Sequence, residues 1–171
     1  AAVKRPHGSN DNLRLKPAAD NLAAYLAKLN KTFPDAYQRI VDTIKLAAPF
    51  FGGFVIRDPL PENIELEWFE QTDPDTPYKA HVLSDGTLRF LCLAVALLSP
   101  RPPAFLAINE PENSLHRDML PALARLIIEA SRYSQIWLTS HSAELAELIA
   151  AGAPCQRYAL ENSGGETRIV E

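Results

Sequence analysis

The sequence predicts a mixed α/β fold: a core of parallel strands, flanked by helices and preceded by an antiparallel strand set. Three observations predict it. The apolar run Phe105-Leu106-Ala107-Ile108 stops abruptly at Asn109-Glu110-Pro111-Glu112. A second run, Ile136-Trp137-Leu138, stops in the same way at Thr139-Ser140-His141-Ser142. From Thr87 onward, stretches of helical and strand character alternate, which makes successive strands parallel with helical crossovers. Short apolar runs with a sharp stop fit central strands covered on both faces. Ligands of open α/β sheets bind just beyond the carboxyl ends of the strands. Glu110 and His141 stand at two such ends and are the first candidates for chemistry.

The elements follow in order. Residues 1–17 are polar and carry proline, glycine and asparagine, so they read as an irregular entry. Residues 20–29 form an amphipathic helix with Leu22, Tyr25, Leu26 and Leu29 on one face. Pro34 opens a second helix over 35–48, with Tyr37, Ile40, Val41 and Ile44 inward. These two helices are expected to pack as a lobe apart from the parallel core. Gly52-Gly53 breaks the pattern, and strands follow at 54–57 and 64–69. The second alternates apolar and acidic residues, so one face is wet. A turn over 72–77 leads to a third strand at 78–83. The alternating part then runs as helix 87–98, strand 104–108, helix 117–130, strand 135–139 and helix 143–150. Segments 156–160 and 167–170, joined by Asn162-Ser163-Gly164-Gly165, read as a terminal hairpin.

Composition narrows the possible functions. A chain of 171 residues is one domain by length, with 47% hydrophobic and 22% charged residues, as in ordinary globular proteins. The formal net charge of −4 offers no basic footprint for nucleic acid. No apolar run approaches the roughly 20 residues of a membrane span. Cys92 and Cys155 are far apart in apolar surroundings and read as reduced core thiols, which suits a cytoplasmic protein. The four histidines and two cysteines lack metal-ligand spacing, so no zinc site is expected. His7 and His81 carry no motif context. Of the seven glycines none precedes lysine, so the chain has no Gly-x-x-x-x-Gly-Lys-Ser/Thr phosphate loop. A serine hydrolase using Ser84 and His141 is disfavoured, because no Gly-x-Ser-x-Gly elbow is present.

Upstream of the first strand end lies Leu83-Ser84-Asp85-Gly86-Thr87-Leu88-Arg89, running straight into an apolar helix. The order is therefore Ser-x-Gly before a helix, then strand-Glu, then strand-His. With these motifs the chain resembles the ABC-type ATPases, in particular the branch of RecF, the SMC and Rad50 proteins and the OLD-like predicted ATPases. Residues 83–87 resemble the signature motif, 108–112 the Walker B strand, Asn113-Ser114-Leu115-His116 the D-loop, and 139–142 the switch-histidine motif. The resemblance covers 83–149 well and the flanks loosely. It implies a P-loop NTPase-like ABC head that lacks its Walker A half. On that basis the chain is expected to be the C-terminal portion of one ATPase domain. Its 1–82 part would be helical and β-stranded, and 83–171 would be the signature, Walker B and switch-histidine core.

The chemistry of the candidates can be weighed residue by residue. Phosphoanhydride hydrolysis needs charge neutralisation, an in-line water and a group that polarises that water. Glu110 can orient and deprotonate the water; the alternative is a loop cap. Glu112, two residues on, supports either the site or the fold. The resemblance makes Asn109 the usual aspartate position that holds Mg²⁺ through water, and a neutral amide is a weaker ligand for a hard cation. It makes His141 the γ-phosphate sensor, and it lets His116, in place of the usual D-loop aspartate, reach a partner's site. Ser84, Asp85, Gly86 and Thr87 lie at a helix N-terminus, where amides favour anions. The resemblance implies that they touch nucleotide bound to an opposing head, whereas Ser84 or Asp85 could equally cap the helix. Arg89 either approaches phosphate or solvates the helix face.

The expected activity is ATP binding and hydrolysis with Mg²⁺, with ATP-driven dimerisation of two heads and a P-loop half supplied outside this chain. The chain alone is expected to be inactive. The alternative is a regulatory or scaffold module that binds nucleotide without significant turnover. DNA as a partner is unsupported by charge, and no Toprim-like acidic cluster points to nuclease activity.

Overall fold

The computed structural model describes residues 15–16, 19, 21–57 and 65–170. Most of the expected entry over 1–17, with His7, and the expected element starts at Asp20 and Ile64 lie outside the described residues. Helix α1 spans Leu22–Thr32 and α2 spans Pro34–Ala47, with proline at the first turn of α2. Leu22, Tyr25, Leu26 and Leu29 are buried along α1, as their spacing requires. On α2 the buried residues are Ala36, Ile40, Val41 and Ile44, and Tyr37 packs partly buried beside them.

The antiparallel sheet consists of β1 (Phe51–Arg57), β2 (Glu65–Glu70) and β3 (Asp73–Lys79), in that order. Two expectations are corrected here. Gly52-Gly53 does not break the chain but lies inside β1, at a register irregularity between Phe51 and Gly53. The ring of Phe69 covers this spot so closely that a Cβ on Gly52 would lie 2.5 Å from it. The third strand starts earlier than expected and ends at Lys79, followed by a 3-10 turn over Ala80–Val82. Pro74 and Pro77 are tolerated because β3 is an edge strand, where amide donors are dispensable.

The α/β part comprises α3 (Asp85–Leu97), β4 (Phe105–Asn109), α4 (Leu120–Ala130), β5 (Gln135–Thr139) and α5 (Ala143–Gly152). A 3-10 turn, Arg117–Met119, precedes α4 and takes up the start of the helix expected from 117. Strands β4 and β5 pair in parallel, from Phe105 opposite Gln135 to Asn109 opposite Thr139. One face of the pair, Leu106, Ile108, Ile136 and Leu138, packs on the core. The other face is open: Phe105 is 52% and Trp137 59% exposed. Coverage on both faces, expected from the apolar runs, is therefore absent among the described residues. Strands β6 (Ala159–Ser163) and β7 (Glu166–Val170) make the terminal hairpin, shifted a few residues from expectation. Its two-residue Gly164-Gly165 turn has positive φ at both positions.

The helical pair does not stand apart. Ile40 and Ile44 of α2 belong to one core with Phe90, Leu91, Ala94 and Val95 of α3, Leu123 and Leu126 of α4, and Leu145 of α5. Continuity of apolar contact overrides the lobe division suggested by the order of elements. Neither thiol is a buried core group: Cys92 is half-buried, with burial pushing its pKa up, and Cys155 is exposed. Among the described residues no helix is long and apolar enough to cross a membrane.

Leu91, fully buried where α3 meets the other helices, is a direct probe of this shared core. Leu91→Ala should destabilise the protein by about 2–5 kcal/mol, read by urea unfolding. A loss below about 1 kcal/mol would mean that the interface can collapse around the gap.

Candidate functional site

The candidate site is built where β4 and β5 end side by side. The ladder continues one step beyond the strands, since the Glu110 amide donates to the Thr139 carbonyl at 2.9 Å. The Thr139 hydroxyl donates to Asn109 Oδ1 at 2.6 Å. Pro111 is fully buried and anchors the turn that follows. Between ladder and anchor, Glu110 takes φ of +44°, the left-handed region that a non-glycine residue occupies at a cost of about 1–3 kcal/mol. The chain thereby turns sharply at the residue whose carboxylate faces the second strand end.

That carboxylate meets His141. Glu110 Oε1 lies 3.2 Å from His141 Nε2, with the histidine side chain 86% and the glutamate 29% exposed. The Asn113 side-chain Nδ2 donates to Glu110 Oε2 from three residues on. Arg89, one turn into α3, donates to the Glu110 carbonyl at 2.9 Å. Arg89 thus has a role outside both readings of it from the sequence, a clamp on the Glu110 backbone. The sequence marks Asn113 only as the first residue of the D-loop segment; its spacing from Glu110 across a proline turn is the feature that would have found this contact.

Glu112 joins the same two loops. Its Oε1 accepts from the Ser140 hydroxyl at 2.7 Å and from the His141 amide at 2.8 Å. Burial alone would raise its carboxyl. The Ser140 hydroxyl and the amides of Glu112, His141 and Ser142 outweigh that effect and hold it below the ordinary carboxylate value.

The signature segment sits on the other side of the 110–116 loop. Ser84 caps α3: its Oγ accepts from the Thr87 amide at 3.2 Å and lies 2.9 Å from the Thr87 hydroxyl. Thr87 itself is only 7% exposed, whereas Ser84 and Asp85 are exposed. At Gly86 a Cβ would lie 2.4 Å from the Ser114 carbonyl oxygen. Ser114 has φ of +67°, so the loop turns its backbone against the start of α3. His116 is 77% exposed, and its Nδ1 accepts from the Asp118 amide at 3.4 Å. The structure therefore pairs Glu110 with His141, bonds Asn109 to Thr139 at the same strand ends, and packs Gly86 against the D-loop segment. Among the described residues no hydrogen bond joins Ser84 or His116 to Glu110 or His141.

For a divalent cation the donors at hand are the Asn109 side-chain oxygen and the Glu110 carboxylate. Among the described residues no three acidic, histidine or cysteine side chains converge. Both are already engaged, Asn109 Oδ1 by Thr139 and the Glu110 carboxylate by Asn113 and His141, so the inner ligands of a Mg²⁺ here would come from phosphate and other groups.

The comparisons agree with this architecture. One family matches residues 4–147 and is described as "AAA domain, putative AbiEii toxin, Type IV TA system". The chain belongs to this AAA-domain family. Among solved structures it is similar to heads of SMC ATPases, and that likeness shows the fold. One, from work on ATP-driven dimerisation and DNA-stimulated activation of SMC ATPases, superposes with a TM-score of 0.59 at 15% identity, covering 85% of this chain and 88% of that one. An Smc head bound to the C-terminal winged-helix domain of ScpA gives 0.63 at 17% identity, over 94% of this chain and 51% of that one. An Smc head of Pyrococcus furiosus with an extended coiled coil, bound to the C-terminal domain of ScpA, gives 0.61 at 18% identity, over 86% and 37%. The chain thus spans about half of the second and little more than a third of the third. No curated protein matches. The AAA-domain chain accordingly has a P-loop NTPase-like fold of the SMC-head kind, as its motif order predicts.

The contact at Gly86 gives a test that needs no nucleotide. A Cβ there meets a backbone oxygen, which cannot swing away as a side chain can. Gly86→Ala should lower stability by about 1–3 kcal/mol in thermal or urea unfolding, the usual cost of overpacking. An unchanged melting temperature would show that the 114 loop yields freely.

Proposed function

We propose that this chain is the catalytic C-terminal portion of an ATP-hydrolysing head whose phosphate loop lies outside it, and that ATP is held between two such heads. The observation that carries this reading is the Glu110–His141 pair at the ends of two adjacent parallel strands, with Glu110 held in a left-handed turn. Strain retained at a strand end is a common mark of a working site. Glu110 orients the attacking water and accepts its proton. His141, exposed beside it, donates toward the γ-phosphate and registers its presence. Asn109 would be the side chain nearest the usual position of a Mg²⁺ ligand, and a bound Mg²⁺ would supply charge neutralisation at the phosphates. Ser84, Asp85, Gly86 and Thr87 address the nucleotide of the opposing head, as does His116 from its exposed loop. The helix N-terminus at Ser84 offers amides and partial positive charge for this.

The P-loop half would complete the sheet. The open face of β4 and β5, with Phe105 and Trp137 uncovered, is a surface on which that half can bury apolar area. Seated there, it would bring its phosphates to the carboxyl ends of the strands, where Glu110 stands. The region 1–82 and the core 83–171 then act as parts of one domain. ATP-driven dimerisation, named for the SMC ATPases, carries over on the same basis. DNA-stimulated activation does not gain support from a net charge of −4.

A second reading is a scaffold module in which nucleotide joins two heads without turnover. It is favoured by Asn109, a neutral amide whose oxygen is already engaged by Thr139. Glu110→Gln in the intact protein separates the two. Hydrolysis should fall by about 10²–10⁴-fold while ATP binding persists, and ATP-bound dimers should accumulate in light scattering. Hydrolysis at the wild-type rate would remove Glu110 as the base, and absent turnover in the wild type would establish the scaffold.

Ser84 distinguishes a cap from a nucleotide contact. Ser84→Asp caps a helix as well as serine does, so folding stability should hold. Its added negative charge should nevertheless abolish Mg-ATP-dependent dimerisation in sedimentation velocity, as the bulk of Ser84→Arg should. Normal dimerisation of the aspartate variant would reduce Ser84 to its capping role.

A further inference from the structure

A carboxylate that the hydrolytic reading leaves unused ties the two catalytic loops together. The His141 ring is 86% exposed, so packing does little to hold it in place. Its approach to Glu110 is set instead from its backbone. That backbone is held by Glu112, whose Oε1 receives the His141 amide at 2.8 Å and the Ser140 hydroxyl at 2.7 Å. Ser140 Oγ receives the Ser142 amide in turn at 3.0 Å, so Glu112 Oε1 and Ser140 Oγ together hold the 140–142 turn. The other oxygen of Glu112, Oε2, is sealed from solvent and meets no hydrogen-bond partner among the described residues.

A buried acceptor without a partner is costly, and sites that retain one commonly have a reason beyond stability. The base of Glu112 is equally well fixed. Pro111 before it is fully buried, and the Glu112 carbonyl accepts from the Leu115 amide at 3.0 Å. The carboxylate thus works from a rigid anchor on the β4 loop to a turn on the β5 loop. Glu110 and His141 are the two residues whose separation that span determines.

We infer that Glu112 is a positioning residue for the ATPase reaction: it fixes the 140–142 turn so that His141 stands within reach of Glu110. This rests on the assignment of Glu110 and His141 to hydrolysis. In this role Glu112 acts through the 140–142 turn it holds, by way of Ser140 and the His141 amide. A shift of about 1 Å in a catalytic group is enough to cost on the order of 10²-fold in rate. A glutamine at this position keeps the accepting oxygen toward His141 and Ser140 but loses the charge that shortens such bonds.

The test is a double-mutant cycle in the intact protein, read by steady-state ATP hydrolysis. Glu112→Ala should lower kcat by about 10–100-fold, the range seen when outer-shell partners are removed. KM for ATP should stay within about twofold, since ground-state binding is untouched. Glu112→Gln should recover most of the lost rate. Combined with His141→Ala, Glu112→Ala should add no further loss, because its effect passes through His141. A loss in the double variant equal to the product of the two single losses would mean that Glu112 serves the fold alone and would overturn the inference. An unchanged kcat in Glu112→Ala would overturn it too. Should the alanine variant fail to fold, Glu112→Gln carries the same cycle: its smaller loss must vanish in the His141→Ala background. Glu110→Gln is run alongside. If it is inactive while Glu112→Ala is fully active, only the positioning role is lost. If it hydrolyses ATP normally, the assignment of the base fails first.

Discussion

The constraint on which the site depends is the joining of two strand ends. Parallel pairing of β4 with β5 sets Asn109 opposite Thr139, and the Glu110 amide continues that pairing onto the Thr139 carbonyl. From there the loops cannot diverge, because Glu112 draws the 140–142 turn back toward the first strand. Each link is individually modest, about 1 kcal/mol for a neutral hydrogen bond and somewhat more for one to a carboxylate. Their value lies in sharing two loops, so that no single side chain must hold the geometry alone. The left-handed turn at Glu110 persists because the surrounding links over-determine it.

A second set of contacts connects this site to the start of α3. Arg89 reaches from the helix to the Glu110 carbonyl, while Gly86 lets the Ser114 carbonyl approach closer than any side chain would permit. The start of α3 is therefore in direct contact with the loop that carries Glu110. A displacement of α3 by a few tenths of an ångström bears on Glu110 through two independent points. That arrangement gives a physical route by which engagement at Ser84 could be felt at Glu110. The core beneath is continuous from α2 through α3 to α4, so the two points rest on one rigid support.

Ser84 shows how a helix cap leaves neighbouring donors open. A serine that accepts from the Thr87 amide satisfies a donor that a helix N-terminus otherwise leaves open. The remaining amides and the exposed Asp85 are unaffected by that bond. Thr87, by contrast, is turned inward, and its hydroxyl is shared with Ser84. Contact of Thr87 with a nucleotide would need that hydroxyl to turn or the backbone amide to serve in its place.

Much of this was legible in the sequence because local patterns carry it. The period of apolar residues specified α1, α2 and the strand ends, and the order of Ser-x-Gly, strand-Glu and strand-His specified the family and the fold. What could not be read there depended on contacts between segments distant in the chain. Gly52-Gly53 looked like a break because a glycine pair carries no strand signal; only the ring of Phe69, packed over it, makes it part of β1. The helical pair looked separable because nothing local records that Ile40 and Ile44 meet α3 and α4. Phe105 and Trp137 looked buried because an apolar side chain does not disclose which face of a strand is covered. Glu112 and Arg89 were undecided for the same reason: a charged side chain near a site has several partners within reach, and only the folded backbone selects among them. Sequence by itself determined the kinds of element and which polar residues stand at their ends, since these follow from neighbouring residues. Tertiary structure decided which side chains meet across the loops, since that depends on how separate elements pack.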